Sequence, residues 1–396
     1  MNRFELISRT LGLPDPEGIL EQTCNRMREE DFKLISEAEI LNLEEKYHLL
    51  GQYLPQTLEA RNELEKDEAR KTWIAAAAYC FPERSPKEVR QIPLPATDGT
   101  LAQRMAPLFV MLPQVETAAA DYRAHGFSEE EIVQFMRSFE GGLGVGEKKT
   151  GVPGIGSVYY KWISRYAKAS IFRCAGLNFE FSDFCKEAVA LKNVHTGEIV
   201  IVMRNLVFAE NGLPIESVGQ DKPENAFATS FASLPDAYYG YPVRNARCVN
   251  KLTAFPKEDW KILAQSGDLM LGVHIPRGAD ISTEGALHAF SEAQKLVRKW
   301  YPDRKIHGLF CHSWLLDPVF DTMLPEGSKI RQFGAVYARY PHKSGGDSVF
   351  SFVFPKKVPF EELPENTSLE RALKKYYLDG NVVYSYGGFV PCDEDK

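Results

Sequence analysis

Residues 268–318 constrain the fold more than any other stretch, because they alternate between strand and helix patterns. Leu269 to Ile275 is a short apolar run rich in branched residues, which is typical of a buried strand, and Pro276 ends it. Ile306 to Trp314 is a second such run. Between the two, apolar residues recur at helical spacing after the potential N-cap Ser282. The order strand, loop, helix, strand predicts a right-handed parallel crossover.

The loop from Arg277 to Ile281 is the predicted binding site of this crossover. Amides at a helix N-terminus lack intrahelical partners and carry part of the helix dipole, so they bind anions such as a pyrophosphate. In open α/β sheets, ligands bind beyond the carboxyl ends of parallel strands, and this loop lies there with His274 and His312 near the two strand ends. A purely structural turn is the alternative.

Two strand motifs carry a resemblance to a known family. Leu271 to Pro276, LGVHIP, and Cys311 to Pro318, CHSWLLDP, with the capped helix between them, resemble the C-terminal domain of a two-domain acyltransferase family. That domain is GNAT-like, and an all-helical N-acyltransferase N-terminal domain precedes it. The resemblance covers nearly the whole chain. It implies an α+β fold with an α/β-type core, in which a helical domain (1–165) precedes a mixed-sheet GNAT-like acyltransferase domain (166–396).

The same resemblance implies that acetyl-CoA or another acyl-CoA is the co-substrate. Its pantetheine arm would lie between two parallel strands that splay apart. Its pyrophosphate would bind the loop residues Ile275, Arg277, Gly278, Ala279, Asp280, Ile281 and Ser282.

The loop departs from the widespread GNAT pattern, Gln/Arg-x-x-Gly-x-Gly/Ala. Arg277 fits the first position, but Asp280 and Ser282 occupy the glycine positions. Asp280 would place a carboxylate close to phosphate unless its side chain turns back to cap the helix.

Acyl transfer to an amine needs a neutral amine, a polarised thioester carbonyl and a proton for the departing thiolate. His274 is the predicted base, or the residue that holds a relaying water, because imidazole titrates near neutral pH. His312 is the second candidate, or orients the pantetheine or acceptor, and Tyr384 is a candidate acid. For either histidine the alternative is a buried ring with backbone partners. Cys311 adjoins His312, but neighbouring strand residues point to opposite faces, which favours direct transfer in a ternary complex over a thiol nucleophile.

The acceptor is predicted to be an unidentified small-molecule amine or peptide. Asp236, Tyr238 and Tyr241 lie in a polar, aromatic segment that could line its pocket, or could form a packed turn. Transfer to a hydroxyl is a further possibility. The missing loop glycines also leave open a non-catalytic acyl-CoA-binding or protein-interaction module with a degenerate acyltransferase fold.

Length and composition restrict the remaining function classes. A chain of 396 residues favours two domains. The net charge of −7 without a basic stripe argues against nucleic acid as a partner, and no apolar run is long enough to span a bilayer. The seven cysteines are scattered and never form a Cys-x-x-Cys pair, so neither a disulfide framework nor a metal site is expected. With no signal-peptide pattern at the start, we expect a cytoplasmic protein.

The first 170 residues have helical periodicity. The predicted helices are Pro16–Glu30, Ser36–Leu50, Leu54–Phe81, Leu101–His125, Ser128–Phe139 and Val158–Ala169. Gly141 to Thr150 invites comparison with a phosphate-binding loop, but Glu147 stands where that motif needs lysine, and a helix precedes it. We interpret this segment as a flexible connection, a substrate lid or an interdomain hinge.

After Ile171 the periodicity changes to that of strands. The predicted elements are a hairpin of Glu187–Lys192 with Glu198–Met203, an extended run Phe227–Ala232, a short helix Val319–Leu324, a hairpin of Ile330–Tyr340 with Ser348–Phe354, a helix Ser368–Leu378 and a closing strand Val382–Val390. The first hairpin is assigned to the antiparallel part of a GNAT sheet. No helical excursion between the first two strands of that fold is recognisable.

Overall fold

The computed structural model describes residues 2–220, 225–354 and 358–392, without the side chain of Ser351. The chain divides into two compact units, Met1–Arg173 and Cys174–Lys396, and each is described by itself.

The first unit is helical, as its periodicity predicts. Its helices are α1 (Arg3–Leu11), α2 (Ile19–Arg26), α3 (Glu37–Tyr47), α4 (Leu54–Leu64), α5 (Glu68–Cys80), α6 (Pro86–Val89), α7 (Leu101–Met111), α8 (Val115–Ala124), α9 (Glu129–Met136), α10 (Ser138–Thr150) and α11 (Ser157–Ala167). The capping box at the start of α9 is confirmed, because the Ser128 side chain accepts from the Glu131 amide.

Two long predicted helices are each divided in the structure. The run from Leu54 to Phe81 breaks between α4 and α5, where Asp67 starts a new helix by accepting a hydrogen bond from the Arg70 amide. The run from Leu101 to His125 breaks at the 3₁₀ turn Leu112–Gln114, which contains a proline. A periodicity that continues through such a break shows which face is buried, not that the helix is continuous.

The prediction of a flexible connection at Gly141 to Thr150 was wrong, because this segment is helix α10. Its glycines allow close packing. A Cβ on Gly142 would lie 2.3 Å from Ile163 Cδ1, and one on Gly146 would lie 2.2 Å from the Gly154 carbonyl oxygen.

Strands follow from Ile171 onwards. They are β1 (Ile171–Cys174), β2 (Leu177–Asp183), β3 (Ala188–Asn193), β4 (Ile199–Met203), β5 (Val207–Phe208), β6 (Phe227–Ala228), β7 (Phe231–Ser233), β8 (Ala237–Arg244), β9 (Arg247–Cys248), β10 (Thr253–Pro256), β11 (Trp260–Ala264), β12 (Leu269–His274), β13 (Gly308–Ser313), β14 (Ala338–Pro341) and β15 (Tyr386–Pro391). The later helices are α12 (Thr283–Trp300), α13 (Phe320–Met323), α14 (Lys329–Ala335), α15 (Ser348–Phe352) and α16 (Ser368–Leu378).

The predicted crossover is confirmed, and it lies at the centre of a six-stranded mixed sheet of order β1-β2-β12-β13-β15-β14. Strands β12 and β13 are parallel and are connected through α12. Only Ala175 and Gly176 join β1 to β2, and both have positive φ. The helical excursion that the sequence did not show is therefore replaced by a tight turn.

The hairpin Glu187–Lys192 with Glu198–Met203 exists, but its assignment to the GNAT sheet was wrong. It forms β3 and β4 of a separate sheet whose central order is β10-β8-β4-β3-β11, with β7 and β9 also paired to β8. This sheet occupies the chain between β2 and β12. One of its faces packs on the six-stranded sheet in a shared core that includes Ala190, Met203, Met270 and Phe389.

The predicted hairpin of Ile330–Tyr340 with Ser348–Phe354 was wrong. These residues form α14, β14 and α15, and β14 pairs with β15 instead. Helix α16 has the predicted bounds. In the described part of the chain, no helix has the length and apolarity needed to cross a membrane.

Candidate active site

A fork between β12 and β13 forms the centre of the candidate site. The two strands pair with each other only at Leu271 with Leu309 and at Gly272 with Phe310. Beyond that point β12 stays paired with β2 as far as His274, and β13 stays paired with β15 as far as Ser313. The ladder between them therefore ends two residues before the end of β12 and three residues before the end of β13, which leaves an opening towards the loop that precedes helix α12.

His274, on one arm of the fork, is held by a buried carboxylate. Its Nε2 lies 3.1 Å from Oε2 of Glu180 on the neighbouring strand β2. The Glu180 side chain is 6% exposed, whereas that of His274 is 31% exposed. A carboxyl group in this position orients the imidazole ring.

His312, on the other arm, has a different environment. Its Nε2 lies 3.0 Å from the hydroxyl of Tyr340, which is buried. Both residues are register partners of Gly387, on opposite sides of that residue. Gly387 has to be glycine here, because a Cβ would lie 2.2 Å from the Tyr340 ring.

The electrostatics of this second arm favour neutral groups. The His342 ring stacks on His312 with 4.4 Å between centroids. His312 is an exposed residue, yet desolvation by the surrounding protein atoms, and secondarily the neighbouring His342, lower its pKa from the ordinary 6.5. Burial raises the pKa of Tyr340 well above 10. Around pH 7, His312 and Tyr340 therefore share a hydrogen bond between two uncharged groups.

The thiol of Cys311 is excluded as a nucleophile paired with His312. It is 2% exposed, and burial raises its pKa to about 12. As predicted from strand alternation, it lies on the opposite face of β13.

The loop after β12 presents backbone amides. A turn closed by the hydrogen bond from the Ala279 amide to the Pro276 carbonyl places Gly278 at φ +81°. Within the described residues, the amides of Gly278, Asp280 and Ile281 donate no hydrogen bond. The amides of Ser282, Thr283 and Gly285 are already bonded to side chains. The loop therefore has three amides without a protein acceptor among the described residues, whereas three amides around the helix start already have one.

The Asp280 side chain turns back towards the start of α12. Its Oδ1 accepts from the Ser282 amide at 3.2 Å and lies 2.9 Å from the Lys329 ammonium. The hydrogen bond from Lys329, followed by those from Ser282, lowers the pKa of this carboxyl. Its negative charge is therefore compensated locally. Ile275 and Arg277 lie in the same loop, before and within the turn.

Tyr384 is not joined by a hydrogen bond to either histidine. Its hydroxyl donates to the Val218 carbonyl at 3.1 Å and lies 3.2 Å from Gln220 Nε2, while its amide donates to Asp317. These contacts anchor the segment before β15. The role of Tyr384 as an acid stays a prediction.

The predicted acceptor residues are not brought together. Asp236 precedes β8, and Tyr238 and Tyr241 are on that strand rather than in a loop. The two tyrosines point to opposite faces: Tyr241 stacks on Phe227 at 6.0 Å, and Tyr238 on Phe231 at 6.0 Å. Their assignment to an acceptor pocket stays a prediction.

Sequence reasoning missed Glu180, Tyr340, His342 and Lys329. Glu180 carries a detectable signal, since a charged residue sits between the apolar residues of the LNFEF run. Nothing in the sequence pairs the others with His312 or Asp280, because these contacts cross between distant elements.

The fold and the fork together define the class of protein. Solved structures of acyltransferases match the chain over almost its whole length at 16% identity. A complex with decanoyl-CoA and teicoplanin gives a TM-score of 0.67, covering 99% of this chain and 100% of that chain. A mutant with octanoyl-CoA gives 0.65, covering 99% of each. The chain therefore has a GNAT-type acyltransferase fold, which follows a helical unit in the sequence.

The chain belongs to the family of the GNAT-like C-terminal domain, whose model matches residues 171–390. No curated protein matches the sequence.

Proposed function

We propose that this chain is an acyl-CoA-dependent N-acyltransferase that moves a short acyl group, acetyl in the first instance, directly to an amine. The observation that carries the proposal is the opening between β12 and β13, with His274 on one arm and the amide-lined loop beyond it. In acyltransferase structures with this fold, the bound molecules are octanoyl-CoA, decanoyl-CoA or CoA, and in two of them teicoplanin or a derivative of it as well.

The residues of the loop fit the diphosphate of CoA. The amides of Gly278, Asp280 and Ile281 would donate to phosphate oxygens, and the Arg277 guanidinium would add a positive charge. The pantetheine arm would then run into the fork from its open end. The thioester would then lie near His274 and His312.

His274 would act as the base of the transfer. The acceptor nitrogen attacks the thioester carbonyl carbon, the C–N bond forms, and the C–S bond breaks as CoA leaves as a thiolate. The proton of the amine passes to His274, directly or through a water, while Glu180 stabilises the imidazolium. His274 then gives that proton to the CoA thiolate. The neutral His312 and Tyr340 would donate or accept hydrogen bonds without changing charge.

The test uses the full chain with acyl-CoA and a panel of amines. We expect millimolar acetyl-CoA to raise the melting temperature in wild type and in His274→Ala alike. Release of free thiol in the presence of an active amine should fall at least a hundredfold in His274→Ala. His195→Ala is the matched control, because His195 lies in the exposed turn between β3 and β4.

Each other outcome decides between the alternatives. No thermal shift with any acyl-CoA would sink the proposal. A thermal shift without thiol release from any acceptor would identify the non-catalytic acyl-CoA-binding module. Thiol release with an ester as the product, identified by mass and alkaline lability, would identify transfer to a hydroxyl.

A further inference from the structure

The opening between β12 and β13 ends where the two strands pair, and the sheet face towards α12 is buried at that point. Leu271 and Leu309, the first paired residues, are both 0% exposed. They share a sheet face with Phe181, whose ring contacts Tyr301 at the end of α12. A chain that extends from a thioester in the fork therefore has no exit on the α12 face.

The opposite sheet face at the same point carries an aromatic ring. Gly272 and Phe310 are register partners, and a Cβ on Gly272 would lie 3.2 Å from Cζ of Phe310. The Phe310 ring thus covers the position that a side chain on residue 272 would fill. It also meets the His312 ring edge to face at 5.4 Å between centroids.

Behind Phe310 the space is filled. Phe310 is partly buried and packs on the core between the two sheets, which contains Met270 and Phe389, 0% and 1% exposed. Gly272 lies two residues before His274 on β12, and Phe310 lies two residues before His312 on β13. Two residues span about 7 Å along a strand.

From this geometry we infer that Phe310 limits the length of the acyl group. The inference rests on the proposed function, and it names the substrate class as short-chain acyl-CoA. An acetyl group needs no room beyond the two histidines, whereas an octanoyl chain that continues along the strands from there meets the Phe310 ring and the core behind it. Shortening this side chain opens a path into the core for a longer acyl chain.

The experiment measures the affinity of acetyl-, butanoyl-, octanoyl- and decanoyl-CoA by calorimetry for wild type, Phe310→Ala and Phe310→Leu. We expect wild type to prefer acetyl-CoA over octanoyl-CoA at least tenfold. Phe310→Ala should reverse or abolish that preference, and Phe310→Leu, which keeps more of the core packing, should shift it in the same direction by a smaller factor. Circular dichroism checks that each variant is folded.

Phe231→Ala is the matched control, because Phe231 is also a partly buried aromatic residue but packs on the other face of the inserted sheet. Its ratio of octanoyl- to acetyl-CoA affinity should equal that of wild type. Equal binding of acetyl- and octanoyl-CoA by wild type, or an unchanged ratio in both Phe310 variants, overturns the inference while the proposed function stands. No binding of any acyl-CoA by wild type removes both.

Discussion

Gly387→Ala tests whether the His312 arm depends on the glycine beneath it. A Cβ at this position would lie 2.2 Å from Cε2 and Cζ of Tyr340 and 2.7 Å from its hydroxyl oxygen. The ring is 1% exposed and belongs to the core between the two sheets, so it cannot rotate into solvent. The substitution must therefore push the ring into its neighbours or away from His312.

The size of the effect follows from these two consequences. Overpacking of a core costs about 1–3 kcal/mol, and the lost hydrogen bond between Tyr340 and His312 adds about 1 kcal/mol. We therefore expect Gly387→Ala to lower the free energy of unfolding by roughly 2–4 kcal/mol. The assay is denaturant unfolding of the full chain, with near-ultraviolet circular dichroism as the report on tyrosine packing.

Partner substitutions separate the ring from the hydroxyl. Tyr340→Leu removes the crowded atoms, so the double variant Gly387→Ala/Tyr340→Leu should be more stable than the two single effects predict by about 1–3 kcal/mol. Tyr340→Phe keeps Cε2 and Cζ, so it should give no such recovery. Gly141→Ala in α10 is the control, since nothing lies within 4 Å of its Cβ, and alanine there should stabilise by about 1 kcal/mol or less. The reasoning is refuted if Gly387→Ala costs under about 0.5 kcal/mol, or if the leucine variant gives no recovery.

Three further outcomes are expected. Glu180→Gln should lower turnover about 10- to 100-fold, because a charged hydrogen bond is worth about 1.5–3 kcal/mol. The affinity for acyl-CoA, measured by calorimetry, should not change. Turnover within twofold of wild type would contradict a role for the pairing with His274. Lys329→Ala should weaken CoA binding severalfold at low salt, because Asp280 loses its counter-charge. The double variant Lys329→Ala/Asp280→Asn should restore the affinity. Identical affinities of wild type, the single variant and the double variant would show that this ion pair does not affect CoA binding. His312→Asn should flatten the acid side of the stability profile. Because the pKa of His312 is lower in the folded state, the unfolded chain binds more protons below pH 6.5, and wild type loses stability as the pH falls. The loss is at most about 1.4 kcal/mol per pH unit, and it is smaller here because solvent reaches the residue. Equal denaturation midpoints from pH 7.5 to 5 in both proteins would contradict this expectation.

The crossover was predictable because its signals are local. The apolar runs around Leu271 and Leu309 and the N-cap Ser282 lie within neighbouring segments, and the structure reproduces them within one or two residues. The direction of the Asp280 side chain was left open by the sequence, and the structure shows it turned towards the start of the helix. Local periodicity and capping carry this much information without any knowledge of tertiary partners.

The elements predicted wrongly are those whose secondary structure depends on contacts with distant parts of the chain. Gly142 and Gly146 look flexible in isolation, yet they are helical, and the close approach of Ile163 and Gly154 leaves no room for a Cβ at either position. Residues 348–352 are rich in valine and phenylalanine, which favour strands, but they form a helix with Val349 buried in a cluster with Leu373 of α16. In both cases the packing partner comes from a different element, which periodicity cannot identify.

The candidate site divides in the same way. His274 and His312 follow from their positions at the ends of two strands. Their different environments do not, because Glu180 reaches His274 across a ladder and Tyr340 reaches His312 across Gly387. The sequence ranked His274 ahead of His312 as the base, but it did not show that their environments differ, which depends on the pairing register.

The sheet inserted between β2 and β12 has a consequence for how the fork is assembled as the chain folds. Its first and last strands, β3 and β11, pair with each other, and the Phe184 amide donates to the Asp268 carbonyl. Closing a flexible loop the length of residues 184–268 would cost roughly 4 kcal/mol in chain entropy. Once the insertion has folded, its two ends are already adjacent, so β2 can zip onto β12 as rapidly as a hairpin would. The insertion thus brings β2 and β12 together, and it also covers the face of the six-stranded sheet that carries Met270 and Phe389, so deleting it should destabilise that sheet.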